Sequence, residues 1–133
     1  MNKKLFVYLF IFILTIYLVN IYYKEDEHIV QIKNKISPLF PAIKGMYIRS
    51  DNKTYIINKK HIYIQVYDKQ GKAYDINTLV YLCLHEIAHI LCDNKSVSES
   101  HSVKYRKIFS DILNKSIKLK IFIPKNSIHK DFI

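Results

Sequence analysis

His85, Glu86 and His89 stand as His-Glu-x-x-His inside the apolar stretch Leu82 to Leu91. Residues four apart on a helix share a face and lie about 6 Å apart along the axis, so both imidazoles reach one metal ion. Glu86, one step round the helix, borders the same point and can handle the protons of a water held there. The flanking Leu82, Cys83, Leu84, Ile87, Ala88, Ile90 and Leu91 carry no charge. They describe a buried helix whose polar side chains are committed to a site. A core helix with two satisfied histidines is the plainer reading. It is disfavoured because His-Glu-His buried without a metal leaves costly polar groups.

A catalytic zinc site usually has three protein ligands and one open position. His101, 12 residues after His89, is the expected third ligand, at the end of a polar loop and the start of a helix. Glu99 is the runner-up, with Asp93 and Asp111 weaker. His28, His61 and His129 stand in unrelated contexts and read as ordinary histidines. His61 becomes a candidate transition-state donor if its strand borders the cleft.

The elements that must position these groups are legible around them. Asp75 or Asn77 is a good N-cap for the motif helix, which should run to about Leu91 or Cys92. Before it, Tyr47–Ser50, Thr54–Asn58 and His61–Tyr67 are short β-branched and aromatic runs separated by polar turns. In the last run Ile62, Ile64 and Val66 should face one side and His61, Tyr63, Gln65 and Tyr67 the other. Asp68-Lys69-Gln70-Gly71 closes it with a turn. His28–Ser37 places Ile29, Ile32 and Ile36 at helical spacing ahead of Pro38 and Pro41. After the motif, residues 93–100 read as loop. Ser102 to about Lys115 reads as a helix with Tyr105, Ile108, Phe109, Ile112 and Leu113 as its apolar stripe, and Leu119–Ile123 as a strand or packed extension. The fold class is therefore α+β, in one domain over residues 24–133.

Leu5 to Tyr23 is a run of 19 residues without a charge, just long enough to cross a bilayer as a helix. Residues 1–23 read as an uncleaved signal anchor, since the run is long for a signal-peptide core and no small-x-small cleavage site follows it. Lys3 and Lys4 precede it and Glu25, Asp26 and Glu27 follow Lys24. That pattern places the N-terminus in the cytoplasm and the domain on the lumenal or external side. Three Asn-x-Ser/Thr sequons, at Asn52, Asn94 and Asn114, give this mild support. The formal charge is +10, and without Lys3 and Lys4 the chain keeps 19 basic against 11 acidic residues. The lysines are spread rather than clustered, so a general basic surface is favoured over a nucleic-acid stripe. Cys83 and Cys92 lie about 13 Å apart on one helix, too far for a disulfide. They also lack structural-zinc spacing.

Leu84-His85-Glu86-Ile87-Ala88-His89, then His101-Ser-Val-Lys-Tyr105 and Ile108-Phe109, resembles a zincin of the SprT-like/WLM type. The likeness is especially to the small metallopeptidases encoded by large DNA viruses, and it covers about Ile62 to Leu113. Those show a strand, a D-x-x-G turn (here Asp68–Gly71), the motif helix, then a His followed by an aromatic (here Tyr105). The His89–His101 span is longer than in many members, and an N-terminal membrane segment is not typical of the DNA-repair members. A metzincin is disfavoured, because that pattern needs Gly and His soon after His89 and a later Met-turn. The only methionines are Met1 and Met46.

The resemblance implies a minimal zincin-like domain, a short sheet packed on the motif helix and a following helix, and metal-dependent peptide hydrolysis. The residues point the same way. His85, His89 and His101 would hold Zn²⁺, which brings its water to a pKa near 7. Glu86 would act as general base, and an unidentified Tyr or His as oxyanion donor. A protein or peptide substrate would lie along an exposed strand edge, for which His61–Tyr67 is the candidate. Two other readings compete with this membrane-anchored zinc peptidase: a SprT-like protease acting on DNA-bound proteins, and a zinc-stabilised binding module without activity.

Overall fold

The computed structural model describes residues 2–22, 24–92 and 102–124. Four helices and a three-stranded sheet follow in the order α1 (Lys3–Tyr22), α2 (Glu27–Ile36), a 3-10 turn (Pro41–Gly45), β1 (Tyr47–Ser50), β2 (Tyr55–Ile57), β3 (His61–Ile64), α3 (Ile76–Leu91) and α4 (Val103–Lys118). The class is α+β.

Helix α1 buries none of its residues. It is apolar on every face and long enough to cross a membrane.

Helix α2 forms where an isoleucine recurs at helical spacing, and Ile29, Ile32 and Ile36 are each 0% exposed. Its start is fixed by Asp26, whose Oδ1 accepts from the His28 backbone N–H at 2.7 Å. Burial pushes the Asp26 carboxyl up, but hydrogen bonds from Tyr67, the His28 backbone and the His28 ring outweigh it, and its pKa falls below the ordinary 3.8. A lowered carboxylate contributes stability above its unfolded pKa and loses it as pH falls through the folded value. Asp26→Asn keeps an N-capping oxygen and removes the charge. It should therefore cost about 0.3–1 kcal/mol at pH 7, with the deficit narrowing below about pH 4 in thermal melts across pH.

Strand β3 lies in the middle of the sheet, parallel to β1 and antiparallel to β2. Alternation sends Ile48, Ile62 and Ile64 inward at 0% exposure. They meet α2 and the buried face of α3, formed by Leu79, Val80, Cys83, Leu84 and Ile87. The expected strand His61–Tyr67 is shorter by three residues. Past Ile64 the neighbouring strands have ended, and the Gln65 N–H turns to Thr54 Oγ1 at 3.0 Å. Val66 stays buried, and Tyr67 forms an isolated bridge with Ala73. The Asp68–Gly71 turn is as read: Asp68 Oδ1 accepts from Gln70 and Lys72 N–H, and Gly71 takes φ +81°.

The tail 119–123 is a packed extension and not a strand. After Lys120 at φ +59°, Ile121 and Phe122 enter the core. Asn77 clamps the chain, donating Nδ2 to Ile123 O at 3.1 Å and accepting the Ile123 N–H at 2.8 Å. Asn77→Ala should cost about 1–3 kcal/mol in chemical denaturation of the full chain, because both hydrogen bonds to this segment go at once.

Of the sequons, Asn52 sits on an exposed turn. Asn114 lies within α4, where Ser116 is 0% exposed and donates to Leu113 O. That sequon sits in a packed helix, which is no loop acceptor. Asn94 lies outside the described residues.

Candidate functional site

Asp75 caps α3 by accepting the Thr78 N–H at 2.9 Å, and the helix then runs unbroken to Leu91. Both motif histidines are half-buried, and their ring centroids are 5.0 Å apart. Two imidazoles on one tetrahedral zinc, with Zn–N of about 2.0–2.1 Å, bring their ring centres to about 5 Å. The observed ring spacing is of that size.

Helix α4 is docked against this pair. Ser102 caps it by accepting the Tyr105 N–H, and Tyr105, 2% exposed, lies against α3. Its hydroxyl donates to His85 O at 3.0 Å, and its ring stacks on His89 with centroids 4.2 Å apart. Phe109, one turn on, meets the His85 ring edge-to-face at 5.4 Å. The aromatic pair Tyr105 and Phe109 thus sets both imidazoles from one side. The sequence places these aromatics on an apolar stripe but gives no sign that they pack on the histidines.

Glu86 is 7% exposed. Burial raises its carboxyl to about 7. Its charge reaches groups on two elements, Cys83 on α3 and Tyr105 on α4. Burial pushes the Cys83 thiol up to about 12 with Glu86 adding to it, and the same two causes raise Tyr105. A buried carboxyl poised near neutrality is what proton transfer at pH 7 requires.

His101, Glu99, Asp93 and His129 lie outside the described residues. Asp111 is exposed on α4. Among the described residues, no group of three His, Cys, Asp or Glu side chains is brought together to hold a metal. His28 pairs with Asp26 and Tyr67 near the start of α2. His61 packs on Tyr47 across the sheet, ring centroids 4.6 Å apart.

His61–Tyr67 is not an exposed edge. β3 is hydrogen-bonded on both sides, so the sheet edges are β1 and β2. The sequence shows which residues form strands but not that the β2–β3 hairpin inserts β3 beside β1. One contact without any local signal ties that hairpin to α3: Lys59 Nζ donates to Cys92 O at 3.2 Å, at the helix C-terminus. An apolar pocket lined by Leu39, Phe40, Leu84, Ile87, Leu91, Ile112 and Lys115 includes none of His85, Glu86 and His89.

Comparison with known proteins finds viral relatives. The chain is 40% identical over 73 residues to uncharacterized protein 136R of Invertebrate iridescent virus 6, covering 53% of this chain and 39% of that protein. It is 29% identical over 103 residues to uncharacterized protein 042R of Invertebrate iridescent virus 3, covering 73% and 62%. It is 37% identical over 54 residues to uncharacterized protein R325 of Acanthamoeba polyphaga mimivirus, covering 41% and 25%. The chain therefore spans less than two thirds of each. No family model matches it, and no solved structure does.

Proposed function

We propose that this chain is a membrane-anchored, zinc-dependent metallopeptidase, a viral protein whose α1 is the anchor. The observation that carries the reading is the His85–His89 pair, 5.0 Å apart and half-buried beside a buried Glu86. His85 and His89 hold the ion, and His101 is the proposed third ligand. In support, His101 immediately precedes Ser102, the cap of α4, and the first turn of α4 stacks Tyr105 on His89. Bound zinc supplies a Lewis acid at neutral pH.

The protein's own groups do the rest. The Glu86 carboxylate takes a proton from the attacking water and passes it to the amine nitrogen that leaves. Tyr105 and Phe109 keep the imidazoles in register. An extended peptide lies along β2, the edge whose turn abuts the C-terminus of α3 through Lys59. Lys3 and Lys4, in the first turn of α1, favour an N-terminus in the cytoplasm and a domain beyond the membrane.

Metal content tests the reading. The full chain purified in detergent should carry one zinc per molecule and cleave a quenched-fluorescence peptide mixture. His85→Ala and His89→Ala should each lose the metal and the activity. A wild-type chain that refuses zinc at micromolar free metal contradicts it.

A further inference from the structure

The outer face of the sheet is unlike an ordinary solvated face. Cross-strand partners share a face, so the register builds two rows on it: Tyr47–His61–Ile57 and Arg49–Tyr63–Tyr55. Solvent faces of antiparallel sheets are usually polar. Here four aromatic rings, an isoleucine and an arginine form a continuous platform. Tyr55 and Tyr63 stack at 4.7 Å, Tyr47 meets Tyr63 at 6.0 Å, and the Arg49 guanidinium lies 4.4 Å over the Tyr47 ring. Tyr47 and Ile57 are 41% and 42% exposed. The neighbours of the sheet, α2 and α3, pack on its other side, where the isoleucines are.

The end of α1 lies at this face. Tyr22 and Lys24 line one cleft with Tyr47 and Arg49. A second cleft shares Tyr47 and Arg49 and is lined also by Glu25, Lys33 and Lys44. Three peptide steps lead from Tyr22 to Glu25, at most about 11 Å of chain. Glu25 in turn sits 2.6 Å from Lys33 and 4.0 Å from Arg49. Acidic neighbours are partly spent: Glu25 on Lys33, Asp26 on Tyr67 and His28, and Asp51 on the Tyr55 hydroxyl of the platform itself. Glu27 remains exposed on α2. Tyrosine rings with a polar tip, flanked by Lys and Arg, are the residues that settle in the headgroup layer.

We propose that the outer face of the sheet, Tyr47, Arg49, Tyr55, Ile57, His61 and Tyr63, docks on the phospholipid headgroups of the bilayer that α1 enters. The tyrosines sit at the level of the glycerol esters, while Arg49, Lys24 and Lys44 meet lipid phosphates. The domain then lies flat on the membrane, with α4 on the far side. This inference rests on reading α1 as a membrane anchor.

Nitroxide labels on the full chain test it in phosphatidylcholine–phosphatidylserine vesicles. They are attached to single introduced cysteines at His61, Lys107 and Ile13. Cys83 and Cys92 are 0% exposed and remain in place. Collision with a water-soluble nickel complex should be several-fold lower at positions 61 and 13 than at position 107. Combining Tyr47→Ser with Arg49→Gln should return position 61 to water. Position 61 as exposed as 107, with 13 protected, overturns the docking and leaves the anchor standing. Position 13 exposed overturns both. Protection of 61 by a single-stranded oligonucleotide but not by vesicles overturns it in favour of base stacking on the same rings.

Discussion

Replacing Glu86 with Gln is expected to reduce peptide hydrolysis by about 10²–10⁴-fold, the usual worth of a positioned general base, with zinc content unchanged. Gln matches Glu in size and keeps an acceptor oxygen, but it cannot take a proton from water. The fold should tolerate it. Glu86 is 7% exposed, and burial already raises its carboxyl to about 7, so the site accepts an uncharged side chain. Steady-state cleavage of a quenched-fluorescence peptide mixture, alongside metal analysis, reads both quantities. A Glu86→Gln protein that retains full activity with zinc bound would remove Glu86 from the chemistry. A variant that loses zinc would instead make Glu86 a ligand.

The second large effect is at Tyr105. Tyr105→Ala should destabilise the full chain by about 3–5 kcal/mol, the range for emptying an aromatic site in a core. The ring is 2% exposed and lies between α3 and α4. Tyr105→Phe keeps the stack on His89 and loses only the hydrogen bond to His85 O, worth about 1 kcal/mol. The two variants also separate packing from metal positioning. If the stack orients His89, zinc affinity should fall about 10–100-fold in the Ala variant and stay near wild type in the Phe variant. Urea denaturation and competition with a zinc-binding dye measure the two effects independently. Equal zinc affinity in both variants would make Tyr105 a packing residue alone.

The helices were legible because their causes are local. Asp75, one of the two caps the sequence offers, does cap the motif helix, and the Ile29, Ile32, Ile36 spacing names the buried face of α2. The inward set Ile62, Ile64 and Val66 was readable for the same reason, since alternation alone decides which side of a strand is buried. Sheet order was not. That β3 lies between β1 and β2 follows from pairing across distant residues, and it moves the free edge away from the strand with the clearest pattern. Lys59 reaching Cys92 O, and Asn77 clamping Ile123, are likewise contacts between distant parts of the chain. In the site, spacing alone indicates that His85 and His89 share a face. It does not reveal that Tyr105 and Phe109 would brace their rings from α4. The aromatic outer face was half visible in His61 and Tyr63, but its continuity needs the register with Tyr47 and Tyr55.

Zinc-edge X-ray absorption on the full chain, loaded with one equivalent of metal, reads the ligands of the ion themselves. A catalytic His85–His89 site should show at least two imidazoles at about 2.0–2.1 Å, no sulfur, and a solvent oxygen completing four-fold coordination. The histidine signal should be lost in His85→Ala and His89→Ala. Four protein ligands with no solvent position would contradict catalysis and leave a zinc-stabilised module. A shell without paired histidines would contradict the site itself.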